Sequence, residues 1–239
     1  MIIVLVTFII MQAVVVVMHE FTHSTVAWLL GHKQSPFDII WGNPLTLTGW
    51  DEGVGYKELF STGHSTAAAI IGVSPLIVHT GVVISVLLLL QMERIRNRKW
   101  LFHILYWFLI ANYMELIAYI NMRAFASHGD VGIFNRGLGL SPWVLFTAGS
   151  MAITAGLYIL FKRILSEMYN VFAEDNRLNQ WMILIMTCFI LFIWGSGMRV
   201  MLYIYPDPQW MFGLLGPAAS AVVLITCRPH NLKHNQNCP

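Results

Sequence analysis

The sequence predicts an all-α fold, a polytopic membrane helical bundle of about six transmembrane helices forming one integral membrane domain over residues 1–239. Three observations carry that expectation. Hydrophobic residues make up 57% of the chain and charged residues 11%, with a mean hydropathy of +0.65, outside the range of ordinary soluble domains. Apolar runs long enough to cross about 30 Å of hydrocarbon as helices recur along the chain. Lys and Arg fall in short clusters between those runs, where they report topology. A formal charge of +2, so dispersed, provides no basic stripe of the kind nucleic acid needs.

The first run, 2–30, lacks the basic n-region and the small-residue cleavage site of a signal peptide, and it continues through His19, Glu20 and His23, so it reads as a membrane helix. The connection 31–66 alternates Gly, Pro, Trp and Thr in WGNPLTLTGW and DEGVGY, a pattern expected of a re-entrant or β-hairpin loop. Helices are expected at about 67–92, 100–122, 143–162, 180–204 and 210–227, because lipid cannot satisfy a backbone amide. A polar tail, 228–239, follows. Arg94, Arg96, Arg98, Lys99, Lys162, Arg163, Arg177, Arg228 and Lys233 share one side of six crossings, which places both termini in the cytoplasm of a multi-pass protein. Trp28, Trp41, Trp50, Trp100, Trp143 and Trp210 lie near run ends, as interfacial anchors do. Cys188, Cys227 and Cys238 lack metal-site or redox spacing and read as structural thiols.

Chemistry concentrates in the first run. His19, Glu20 and His23 form HExxH, in which histidines four apart rise about 6 Å along one helix face and can grip a single zinc ion, with the glutamate directed at the water bound there. A chain of this composition contains the pattern by chance about once in a hundred, and a charged group at membrane depth costs about 2 to 3 kcal/mol, so a polar cluster there needs a partner or a function. A catalytic zinc usually has three protein ligands. The third is available in two places: Asp130 or His128 in SHGDVG, on the same side of the membrane as the end of the first helix, or Glu115 on the polar stripe of the third run with Asn112, Tyr119 and Asn121.

With these residues the chain resembles the site-2 protease family of intramembrane zinc metalloproteases, whose signature is HExxH on one transmembrane helix and an Asp-Gly pair, preceded by an Asn, near a later one. The matching positions are His19, Glu20, His23, Asn121 and Asp130, within about the first 140 residues. Here Asp130 is followed by Val131, with glycines at Gly129 and Gly132. The resemblance implies Zn2+ held by His19, His23 and Asp130, Glu20 as general base, and Asn121 as a substrate-strand or oxyanion contact. It also implies a membrane protein or peptide substrate cleaved within the lipid bilayer. The loop 31–66 is expected to cover the site and to offer an edge strand to an unwound substrate.

Two other functions use the same residues: a membrane zinc hydrolase acting on a lipid or small amphipathic substrate, and a non-enzymatic metal-binding membrane protein. Among the remaining signals, His79 and His103 read as packed, hydrogen-bonded core residues. His64 reads as a helix cap. Gly72, Pro75, Gly216 and Pro217 read as kinks or close-packing points. Arg199 in the fifth run requires a polar partner, and His230 and His234 sit in the polar tail.

Overall fold

A computed structural model of the chain describes residues 2–43, 49–173, 176–198 and 208–229. Among the described residues, five helices are long and apolar enough to cross a membrane: α1 (Ile2–Leu29), α3 (Ser65–Leu90), α5 (Lys99–Met122), α7 (Pro142–Ala173) and α8 (Arg177–Gly195). Shorter helices α2 (Tyr56–Ser61), α4 (Glu93–Arg96) and α6 (Gly129–Leu138) lie between them, and α9 (Leu215–Thr226) follows. The predicted sixth crossing corresponds to the shorter apolar stretch Met211–Thr226. Arg199, Cys238, His230 and His234 lie outside the described residues, as does Pro44–Thr48 of the first loop.

Helix α5 is the axis of the bundle. Of its apolar window 78% is buried, against 17% for α7, and it packs against α1, α3 and the second half of α8. Phe102, Tyr106, Trp107, Leu109, Ile110 and Ala111 are wholly enclosed. Within this core the Tyr106 hydroxyl meets the Thr187 hydroxyl of α8 at 2.8 Å. On α1 the outward residues Ile2, Ile3, Val6, Ile9, Ile10 and Val14 are exposed, so one face of this helix is apolar and uncovered by protein, as lipid contact requires.

Two boundaries differ from expectation. Helix α7 does not stop at 162 but runs on to Ala173 through π-helical turns, because Lys162 and Arg163 end the apolar run without ending the backbone hydrogen bonding. Arg163 reaches Gln91, and Glu167, one turn on, pairs with Arg96 at 2.8 Å, so the extension carries the polar contacts of that end of the bundle. The amphipathic helix α6 falls where a plain connection was expected. In the loop after α1, Ile40 and Asp51 form one antiparallel bridge with both backbone hydrogen bonds made, at 2.9 and 3.1 Å. Among the described residues this pairing does not extend into a strand. The loop leans on α1, since Phe21 makes ring contacts with Phe37 at 5.8 Å and Trp41 at 6.2 Å. Lys33 pins it internally by donating to the carbonyls of Asp38 and Glu52.

The enclosure of Trp107 against Phe8 of α1 and Tyr106 predicts that Trp107→Ala destabilises the bundle by about 3–5 kcal/mol. Chemical denaturation in detergent micelles measures this. A loss below about 1 kcal/mol would show that α5 is not the axis.

Candidate metal centre

His19 and His23 occupy successive turns of α1 on its inward face, both buried. Their Nε2 atoms are 3.2 Å apart. Asp130 Oδ2 lies 2.9 Å from the first and 3.3 Å from the second. Among the described residues these three form a group whose ligand atoms all lie within 4.8 Å of one another.

Asp130 reaches this point because α6 can lie unusually close to α3. A Cβ on Gly72 of α3 would stand 3.0 Å from the Asp130 carbonyl oxygen and 3.0 Å from Ile133. One on Gly137 would stand 2.4 Å from the Ser65 carbonyl oxygen. Gly129 opens α6 at φ +72°, where a side chain would meet Arg123 at 2.6 Å. Glycine before the aspartate turns the chain, and glycine on the facing helix lets the carboxylate descend to the histidines. Gly72 is thus more than a packing point.

Each ring is held from its far side. His23 Nδ1 lies 2.8 Å from the Ile71 carbonyl oxygen, which can only accept, so Nδ1 carries a proton, and in the neutral ring that a metal requires the Nε2 lone pair faces Asp130. His19 Nδ1 lies 3.1 Å from His79 Nε2. His79 Nδ1 in turn lies 2.8 Å from Asn112 Oδ1, and Asn112 Nδ2 donates to the Phe108 carbonyl at 2.8 Å. Tyr119 stacks on His19 with 5.2 Å between ring centroids and planes 22° apart.

Two lone pairs and a carboxylate oxygen converging within 3.3 Å repel one another unless a positive charge, a proton on one ring or a metal ion, stands among them. Among the described residues, the buried Asp130 Oδ2 has no polar partner beyond the two histidines. Burial pushes the Asp130 carboxyl up, but the positive charge and hydrogen bonds of His23 and His19 as protonated rings outweigh it and hold the group well below the usual carboxylate range. The donor set, two imidazoles and one carboxylate with their other ring nitrogens already engaged, fits a divalent metal ion.

Glu20 is half-buried beside the group, in the electrostatic field of His19, His23 and Asp130 and of Glu52 from the loop. Tyr56, at the start of α2, has its hydroxyl buried, and burial with the nearby Glu52 pushes this phenol well above its ordinary range, so it remains a donor. The other sequence candidates stand apart. Glu115 accepts a 2.6 Å hydrogen bond from Gln12 of α1. His128 is exposed at the N-cap of α6. Asn121 donates to Ser150 of α7 at 2.7 Å, directed at a neighbouring helix rather than at the three ligand atoms. His103 is a core residue stacked on Phe172 and within 3.2 Å of the Thr7 hydroxyl. His64 stands at the N-cap of α3 without a side-chain cap bond, its ring against His32.

His79 and Asn112 were underestimated in the sequence. His79 sits on α3 eight residues beyond Ile71, about two helical turns, so both ring partners come from the side of that helix that faces α1.

The close approach at Gly72 predicts that Gly72→Leu lowers metal affinity at least tenfold by lifting Asp130, whereas Gly81→Leu on the same helix, where a Cβ meets nothing within 4 Å, leaves it unchanged. Equal metal content of the two purified variants by elemental analysis would refute the seating role of Gly72. Comparison of the chain with family models, curated proteins and solved structures found no match, so the functional reading rests on the geometry of this centre.

Proposed function

We propose that the chain is an intramembrane zinc metalloprotease of site-2-protease type, with His19, His23 and Asp130 as zinc ligands and Glu20 as general base. The observation that carries this reading is the triangle of His19 Nε2, His23 Nε2 and Asp130 Oδ2, with edges of 3.2, 2.9 and 3.3 Å, and with Glu20 adjoining it. A tetrahedral zinc with arms of about 2.0–2.1 Å has ligand-to-ligand edges of about 3.3–3.4 Å, so the triangle matches one face of such a site.

A zinc ion there would supply a Lewis acid that polarises a carbonyl and lowers the pKa of water. Glu20 takes a proton from the attacking water as its oxygen bonds to the amide carbon, then delivers that proton to the nitrogen as the C–N bond breaks, leaving a carboxylic acid and an amine. Buried protein on one side and the loop after α1 on the other limit bulk water at the centre. Phe21, between the two histidines in sequence, supports that placement of the loop through its contacts with Phe37 and Trp41. A transmembrane substrate must unwind locally to expose its amide, since a helical amide is shielded by its own hydrogen bonds. With Met211–Thr226 counted as a sixth crossing, nine of the basic residues share one side against Lys33, Lys57, Arg123 and Arg136 on the other, and both termini are cytoplasmic.

The test uses detergent-purified chain without a histidine tag. Wild type should hold about one zinc per chain, and His23→Ala and Asp130→Ala should lose it. Glu20→Gln should retain zinc while cleavage of a reporter transmembrane peptide falls about 10²- to 10⁴-fold. Well-folded wild type without zinc, or full cleavage by Glu20→Gln, would sink the proposal. Release of fatty acid from an acyl lipid without peptide cleavage would reassign the same centre to lipid hydrolysis.

A further inference from the structure

The two ring ligands are gripped by a single neighbour, α3, and the grip depends on two of its features that lie outside the ligand set. The first is Pro75. In a regular helix the amide of residue 75 would donate to the Ile71 carbonyl, but proline has no N–H and its ring displaces that carbonyl. Ile71 O therefore has no helical donor. It accepts from His23 Nδ1 at 2.8 Å and from the Ser74 hydroxyl at 2.7 Å instead. The second is His79, fully buried. Asn112 spends its amide N–H on the Phe108 carbonyl, and its Oδ1 faces His79 Nδ1. The His79 proton is thereby assigned to Nδ1, and its Nε2 is left as an acceptor for the His19 Nδ1–H.

Resting on the metal-site reading, we infer that Pro75, His79 and Asn112 are positioning residues. Together they fix His19 and His23 as Nδ1–H tautomers and so aim both Nε2 lone pairs at the metal. The relay from the Phe108 carbonyl through Asn112, His79 and His19 is directional, since each acceptor in it is set by the donor before it. An imidazole whose Nδ1–H has a fixed acceptor is also a better-oriented and more basic ligand, and loss of such a partner typically weakens metal binding by about 10- to 100-fold.

The experiment measures zinc dissociation constants of the full chain in detergent by chelator competition, and the visible spectrum of the cobalt(II)-loaded protein. Wild type is compared with His79→Leu, His79→Gln, Asn112→Leu and Pro75→Ala. A glutamine side chain can place its carbonyl oxygen where His79 Nε2 stands. His79→Leu is expected to weaken zinc binding about 10- to 100-fold and to shift the cobalt spectrum, while His79→Gln stays within about threefold of wild type. Asn112→Leu, which leaves His79 in place, should weaken binding severalfold. Pro75→Ala restores a competing donor to Ile71 and should do the same. Wild-type affinity and spectrum in both His79→Leu and Pro75→Ala would overturn the inference, as would equal weakening by His79→Gln and His79→Leu, which would mark the histidine as packing alone. If His79→Leu does not fold, Asn112→Leu and Pro75→Ala decide. A wild type that binds no zinc removes the metal-site reading itself, and the two failures are thus distinct.

Discussion

Polar atoms enclosed in an apolar bundle have no water to turn to, and each must be answered by another part of the chain. Around His19 and His23 the answers come in a fixed order. The Nδ1 atoms face the Ile71 carbonyl and His79, and the Nε2 atoms face Asp130. With both rings neutral, the convergence of those lone pairs with a carboxylate is balanced only by a proton on one ring or by a bound cation. The surrounding helices fix where the imbalance sits, and a positive charge at that point is what the arrangement accommodates.

Helix packing at this end of the molecule follows from the same requirement. Helix α3 carries Gly72, where α6 approaches, Pro75, which frees a carbonyl, and His79, which faces His19, all within about two turns. Small and helix-disrupting residues are ordinary in membrane bundles, where neighbouring helices re-satisfy freed backbone groups. Here the group that re-satisfies the Ile71 carbonyl is a candidate ligand, which joins the irregularity of α3 to the chemistry of α1. Elsewhere on α5, Glu115 is answered by Gln12 and Tyr106 by Thr187. The axis of the bundle is thus tied to its neighbours by isolated polar contacts set in apolar packing.

Much of this was legible in the sequence. Apolar length alone located five long helices to within a few residues at most ends, because hydrocarbon thickness and the need to satisfy backbone amides leave few alternatives. It failed at the end of α7, where charge stops an apolar run but not a helix, and at α6, whose ten residues are too short and too mixed to stand out. The spacing of His19 and His23 sufficed to put both rings on one face, since helix geometry is local.

Residue type and spacing therefore determined the membrane bundle, the pair of histidines with their glutamate, and a short set of candidates for the third ligand. Which of those candidates meets the two histidines was decided by tertiary structure. Asp130 is separated from His23 by more than a hundred residues, and its carboxylate arrives only because Gly72 and Gly129 permit a close approach of two backbones. Glu115, equally plausible by type, is taken by Gln12. The roles of His79, Asn112 and Pro75 likewise depend on which atoms face each other across helices. Such contacts depend on packing between segments remote in sequence, which periodicity along one segment does not encode.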